Sequence, residues 1–376
     1  LATMSTDNYI LGTNGGFLQY GYKPDNIKRD DLSWEKNQMI NAGIDLQMFD
    51  GYIGFSVDYY NTNTSNMLLY VPVPLLTGYS TSLQNLGKVN NRGWELALTS
   101  QHTFANGFGY SFNANYAKNT NEVKELGPGN APIISSGSVA HAYYITEVGK
   151  PIGNYYLLVQ DGIFATEEDL KKYPHFDNTE VGDFRFVDVD GDGKLDLDKD
   201  RTICGNYMPK FTYGFGGKLW YAGFDMDFNF QGVYGNKILN LNKRYLDNME
   251  GNTNGTKIAL DRWKSPENPG SGSVNKANRK QTGYNSRTST WHLESGSYLR
   301  LQNLSLGYTL PRALTQKFKV EKMRVYVSGQ NLFTITNYSG YNPEVNARPS
   351  KNLTPGEDYG TYPLARTYMF GLNLTL

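Results

Sequence analysis

Long runs in which every second residue is apolar constrain this chain more than any other feature. Phe224, Met226, Phe228 and Phe230 alternate with Asp225, Asp227, Asn229 and Gln231. The same step of two carries Phe211, Tyr213, Phe215, Leu219 and Tyr221, then Phe108, Tyr110, Phe112, Ala114 and Tyr116, and near the end Leu304, Leu306, Tyr308 and Leu310. Successive side chains of a β-strand point to opposite faces, so such runs make strands with one greasy and one polar face. Helical periodicity is nearly absent. Strands are predicted at about 34–49, 52–64, 89–104, 108–119, 209–221, 224–236, 297–310, 321–335 and 365–376, and most are longer than the usual five or six residues.

The connections say which face meets what. Tight turns at Asp50-Gly51, Asn106-Gly107 and Ala222-Gly223 and a modest turn at 311–320 alternate with long loops at about 65–88, 120–208, 237–296 and 336–364. Every long loop therefore falls at one end. An up-and-down outer-membrane barrel has this rhythm, with short periplasmic turns and long extracellular loops. The fold expected is all-β: an antiparallel up-and-down transmembrane β-barrel, here a C-terminal arc of about nine strands whose C-terminus lies in the periplasm. Its polar faces, with Asp45, Asp58, Glu95, Asn229 and Gln231, line a lumen wide enough for water or a polar plug. Tyr59, Tyr60, Trp94, Trp220, Tyr221 and Tyr234 near strand ends suit interfacial girdles.

Composition removes other classes. Lys+Arg and Asp+Glu are 36 each, so zero net charge gives no pull towards nucleic acid. The apolar run Met67 to Leu76 is broken by Pro72 and Pro74 and is far shorter than the ~20 residues of a membrane helix. A single cysteine, Cys204, forms no internal disulfide, and the four histidines show no metal-ligand spacing. Neither nucleophile, base nor redox centre stands out, so an enzyme is not expected.

Several segments, in order, resemble the SusC/RagA type of TonB-dependent outer-membrane transporter. They include Leu32 to Asn37 (LSWEKN) with Asn41 to Asp45 (NAGID), Gly87 to Glu95 (GKVNNRGWE), Gly149 to Gly153 (GKPIG) and Asp161 to Phe164 (DGIF). Pro209 to Gly214 (PKFTYG), Tyr298 to Tyr308 (YLRLQNLSLGY) and Val325 to Phe333 (VYVSGQNLF) continue the match. The resemblance implies import of oligosaccharides or peptides, with a SusD-like lipoprotein at the extracellular face and the TonB complex engaged through an N-terminal part missing here. On this reading residues 1–33 belong to an extracellular loop, residues 34–376 are the C-terminal part of the barrel, and the plug domain is absent from this chain. Alternatives are a passive porin or adhesin-like barrel, and a soluble β-rich glycan-binding module.

One stretch carries site chemistry. Asp188, Asp190, Asp192, Gly193 and Asp196 fit the front of a D-x-D-x-D-G calcium loop, with the Lys194 carbonyl at the seventh position. The twelfth position, where an EF-hand has glutamate, is Lys199, and the next acid is Asp200. The candidate metal ligands are thus Asp188, Asp190, Asp192, Lys194, Asp196 and Asp200, holding a structural Ca2+ in an extracellular loop; the alternative is a solvated acidic turn. Tyr143, Tyr144, Tyr155, Tyr156, Trp263 and Trp291 are candidates for stacking on sugar rings. Lys276, Arg279, Lys280 and Arg287 read as a solvated basic patch.

Overall fold

In the computed structural model, which describes residues 3–12, 16–79, 81–251, 253–280 and 282–376, nine strands hydrogen-bond to one another in sequence order. They are β1 (Lys36–Met48), β2 (Ile53–Ser65), β3 (Lys88–Thr103), β4 (Gly109–Glu125), β5 (Phe211–Tyr221), β6 (Phe224–Tyr234), β7 (Tyr298–Thr309), β8 (Lys322–Thr336) and β9 (Thr367–Thr375). All neighbours are antiparallel.

Register lines up the two faces across the sheet. One row runs Leu46, Phe55, Leu98, Ala114, Phe215, Phe230, Leu301 and Phe333 from β1 to β8. On the opposite face a row runs Gln47, Gly54, Thr99, Asn113, Gly216, Asn229, Asn303, Gln330 and Thr367 across all nine strands. A slip of one residue in any strand would mix these rows, so the pattern itself fixes the register. At Ala222-Gly223 both turn residues have positive φ (48° and 87°), the geometry of a two-residue hairpin turn that matches strand twist.

The apolar face stays uncovered. Phe224, Ile335 and Phe370 are 64%, 63% and 85% exposed, and a contiguous apolar surface of this size marks a contact with lipid or protein. Two bands of aromatic rings bound it. Tyr59 against Trp94 (4.8 Å) and Tyr116, Phe211 and Tyr234 in sequence (5.3 and 5.0 Å) form the band near the long loops. Tyr52, His102, Phe104, Phe108 and Tyr221 form a chain of ring contacts at the short turns. Between Trp94 and His102 on β3, a rise of ~3.4 Å per residue and a strand tilt of ~40° leave a height of roughly 21 Å, the scale of an outer-membrane apolar band.

One strand runs past its predicted end. The sequence predicts a stop near 119, where apolar alternation fades after Tyr116, yet β4 stays paired with β3 to Glu125. Just beyond the aromatic band both faces are polar: Asn61 and Asn63 bond Asn90 on one, while Tyr60, Asn91, Asn119 and Asn121 bond one another on the other, before Val89 and Val123. Backbone pairing needs no apolar side chain there, so the periodicity ends before the strand does.

The sheet ends at β1 and β9 without closing. Unpaired strand edges in hydrocarbon cost several kcal/mol per group, so a barrel needs further strands on both edges. Residues 1–33, expected to be loop, contain a separate hairpin pairing Met4–Leu11 with Phe17–Pro24. Within this segment, residues 1–2 and 13–15 lie outside the described residues.

The long loops are folded, and the buried core of the chain lies among them. Residues 133–136, 143–146, 154–158 and 201–203 make a four-stranded sheet, and Lys237–Asn240 sits between Leu293–Ser295 and Glu357–Asp358. Tyr144, Tyr155, Leu157, Leu239 and Leu241 form one buried cluster; Leu158, Ile163, Phe176, Phe184 and Phe186 form a second. A third, Val89, Val123, Leu126 and Ile133, seats this cap on the ends of β3 and β4. Each such side chain contributes about 1.5–3 kcal/mol through burial.

Candidate functional site: the cap, its attachment to the lumen wall and the acidic loop

The cap is tied to the polar face of the wall through a buried arginine. Arg300, on that face of β7, is 4% exposed. Its Nε donates to Thr334 Oγ1 (2.9 Å) and its Nη2 to Asn342 Oδ1 (2.8 Å). Nη1 bonds the Glu344 carboxylate, which also accepts from the Tyr298 hydroxyl and from Gln231 Nε2. Three strand residues, Arg300, Tyr298 and Gln231, therefore grip the 336–364 loop, with Thr334 holding the arginine. Arg300 and Glu344 escaped the sequence reading, although an arginine between Leu299 and Leu301 on a lumen-facing position asks for a carboxylate partner.

Buried polar groups knit the cap together. Asn285 Nδ2 donates to Asp183 Oδ1 (2.8 Å) and to Glu250 Oε1 (3.0 Å), and its Oδ1 accepts from the Phe184 N–H (2.7 Å). Burial, with Asp183 close by, raises the Glu250 pKa above the usual carboxylate value. Lys276, proposed above as part of a solvated patch, instead bonds Glu180 (2.5 Å) and faces Asp183 (3.9 Å). Arg287 bonds His141 and lies over the Tyr284 ring. Lys276 and Arg287 thus turn to separate partners rather than forming one solvated patch. His292 is fully buried, and burial followed by the Lys243 and Arg244 charges holds its pKa down at about 3. Burial pushes the Cys204 thiol up to about 11, so it stays protonated and unreactive.

The aromatic candidates for sugar stacking are mostly core. Tyr144 and Tyr155 have no exposed surface, Trp263 and Trp291 pack on the second cluster, and Tyr143 lies under the Arg201 guanidinium at 3.9 Å. A ring inside a core has no face left for a ligand. Exposed cap rings are found elsewhere, Tyr341 and Tyr362 at 82% and 88% among them.

The acidic loop brings together half of its predicted ligands. Carboxylate oxygens of Asp188, Asp190 and Asp200 lie within 4.8 Å of one another, a hard-oxygen donor set of the type divalent cations take. Asp188 also accepts the Gly191 and Gly193 N–H groups (2.7 and 2.9 Å), and Asp200 those of Val189 and Asp196 (2.8 and 2.6 Å). Asp192 instead accepts from the Lys194 N–H (2.9 Å) and lies 4.0 Å from Lys199. Asp196 accepts from the Asp198 N–H (2.7 Å) and more weakly from that of Lys199, which holds its carboxyl below the usual range. Asp200, the thirteenth residue counted from Asp188, takes the third place because the chain folds back there into the short strand Arg201–Ile203.

A β-meander with an uncovered apolar face between aromatic bands, a polar opposite face and every long connection folded at one end is the wall of a transmembrane β-barrel. The chain belongs to the TonB dependent receptor-like β-barrel family, whose model matches residues 3–332. It is 34% identical over 357 residues to TonB-dependent receptor P3 of Formosa agariphila, covering 92% of this chain and 34% of that protein. It is 27% identical to TonB-dependent receptor SusC of Bacteroides thetaiotaomicron, covering 92% of this chain and 32% of that one. Among solved structures it superposes on the RagAB peptide transporter with a TM-score of 0.78 at 26% identity, covering all of this chain and 38% of that one. The chain spans about a third of the length of these curated relatives. They are receptors and transporters rather than enzymes, and the family is one of outer-membrane barrels, which removes the soluble glycan-binding module.

Proposed function

We propose that this chain forms part of the barrel of a TonB-dependent importer of oligosaccharides or peptides, with the cap outside the cell, the short turns and C-terminus in the periplasm, and a SusD-like lipoprotein over the cap. The observation that carries this reading is the pairing of a polar inner face with a folded cap tied to it through Arg300 and Glu344. Similarity to SusC and to the RagAB peptide transporter supports the same class. Uptake of labelled oligosaccharides and peptides by cells carrying the complete protein tests it. Collapse of the proton gradient should lower uptake at least about tenfold, some 1.4 kcal/mol of driving force. Uptake indifferent to the gradient would instead indicate a passive pore.

The acidic loop is read as a structural calcium site, with Asp188, Asp190 and Asp200 as its side-chain ligands and Asp192, Lys194 and Asp196 shaping the turn. When bound, the ion would neutralise three converging carboxylates and hold the loop in its folded form. Sites on extracellular modules bind at roughly 0.1–1 mM. Calcium titrated into the complete protein should release or absorb heat and protect residues 188–200 from proteolysis. Asp190→Ala should abolish both effects while Asp192→Ala weakens them by less. No heat with the wild type would end the reading.

A further inference from the structure

Pairing between β4 and β5 stops at Ala117 and Thr212, while β4 continues to Glu125 against β3 alone. The two strands diverge above that point and leave a notch in the wall, a cavity of about 590 Å3. It lies immediately beyond the aromatic band, since Tyr116 and Phe211 of that band form its lower lining and Lys118 and Thr120 are the next two outward positions of β4. Lys118, Lys210 and Lys237 all line it. Among the described residues, none of these three ammonium groups makes an ion pair or a hydrogen bond. Lys88 and Lys124 at the base of the cap, by contrast, face Glu125 and Glu122, and Lys243 and Lys276 within it face Glu294 and Glu180; what sets the notch apart is that three lysines line one cavity whose lining holds no carboxylate.

We propose that this notch binds the phosphorylated headgroup of an outer-leaflet glycolipid of the lipid A type, with its acyl chains descending over Tyr116 and Phe211. Three like charges around one cavity repel one another, and a phosphate carrying nearly two negative charges relieves that repulsion more than scattered counterions do. The level is that of headgroups, because outward side chains are aromatic just below it and polar or charged at it and above, as with Lys118, Thr120, Asn90 and the Glu122 that pairs with Lys124 and Arg92. Phosphate contacts fix one end of the lipid and aromatic faces accept the other, which places an annular lipid at the seam where the wall has lost a strand pairing. An acidic protein surface would meet the same lysines but would have no use for the ring-lined lower half of the notch. The proposal rests on the cap-outward orientation given above.

The test uses the complete protein purified in nonionic detergent, with bound lipid counted by native mass spectrometry. Lipid A should bind at least tenfold more tightly than its dephosphorylated form. The triple variant Lys118→Gln, Lys210→Gln, Lys237→Gln should bind lipid A no better than wild type binds the dephosphorylated lipid, and the corresponding triple Lys→Arg variant should bind it as wild type does. Equal binding of the two lipids, or lipid A binding unchanged in the glutamine variant, overturns the proposal. So does inorganic phosphate that binds as tightly as lipid A, which would make the site one for a free anion, or a glutamine variant that keeps lipid A and loses only a protein partner. Protease accessibility of the cap on whole cells checks the orientation separately. An uptake assay that fails in wild type while lipid A still binds would count against the transport reading alone.

Discussion

Leu98→Arg should destabilise the membrane-embedded wall by about 2–4 kcal/mol, a loss of roughly 30- to 1000-fold in the folded-to-unfolded ratio. Leu98 points outward from β3, four residues from Trp94 and four from His102, so it sits midway between the aromatic bands. Its row neighbours Phe55 and Ala114 offer no carboxylate. A guanidinium there must stay in hydrocarbon or drag water in, and neither interface is close enough to reach cheaply. Thr99→Arg is the control. Thr99 is one residue on, faces the opposite side, and lies in the row of Gly54 and Asn113, so the charge meets amides and water and should cost under about 1 kcal/mol. Urea unfolding from lipid vesicles, followed by the shift in gel mobility of unheated protein, measures both. If Thr99→Arg were the more damaging, the lipid and lumen faces would have to be exchanged.

The same alternation explains why the wall was legible in the sequence. In lipid every outward residue must be apolar and in the lumen nearly every inward one is polar, so the chemistry of each face is written at every second position. Predicted strands such as 224–236 and 321–335 therefore fall within two residues of the observed Phe224–Tyr234 and Lys322–Thr336. Legibility fails at the membrane boundary, as β4 shows, because beyond it the outer face meets water and the inner face meets the cap, through Asn121 and then Val123, so nothing there imposes a strict alternation.

The cap was illegible for a different reason. Its clusters join residues far apart in sequence, as where Tyr155 packs with Leu239 and Leu241, and its strands are as short as the two residues Glu357–Asp358. A two-residue strand leaves no periodic trace. Tyr144 and Tyr155 read as candidate ligand rings because the apolar residues beside them, Ile145 and Leu157 to Val159, make runs too short to separate a core from a binding surface. The acidic loop was half legible: Asp188, Asp190 and Asp200 of the six candidates converge, while Asp192 turns to Lys194 and Lys199, and which acids meet depends on how the chain turns back. Arg300 and Glu344, 44 residues apart, are linked only by the folded loop. The wall is thus specified by solvent on its two sides and the cap by long-range packing, which makes the cap the part that can fail alone.

Glu357→Ala tests that separation. Glu357 has no exposed surface, and its carboxylate is the acceptor for the Ser138 N–H (3.1 Å to each oxygen), the Ser138 hydroxyl and the Tyr144 hydroxyl (3.1 Å). Its backbone lies beside Leu239 in the short parallel pairing, and the next residue, Asp358, accepts from Tyr338 (2.6 Å). The residue thus joins three of the four long loops, 120–208, 237–296 and 336–364. At Gly137 an added Cβ would fall 2.0 Å from Glu357 Oε1, so the turn before Ser138 closes on the carboxylate without room for a side chain. Alanine at 357 removes the acceptor and leaves these donors buried, at about 1–3 kcal/mol each, so a total of ~3–5 kcal/mol is expected. Glu357→Gln should cost less, about 1–2 kcal/mol, because one oxygen remains while the amide turns a donor towards Ser138. Tyr144→Phe should cost about 1 kcal/mol, and the double variant with Glu357→Ala should cost less than the sum. Trp263 and Trp291 pack inside the cap and Trp94 lies in the wall, so fluorescence and proteolysis of the cap can be followed against the gel mobility of the barrel. The expected result for Glu357→Ala is a cap cleaved at protease levels the wild type resists, on a barrel that still migrates as folded. A barrel that unfolds together with the cap would mean that the clustered loops and the wall form one cooperative unit.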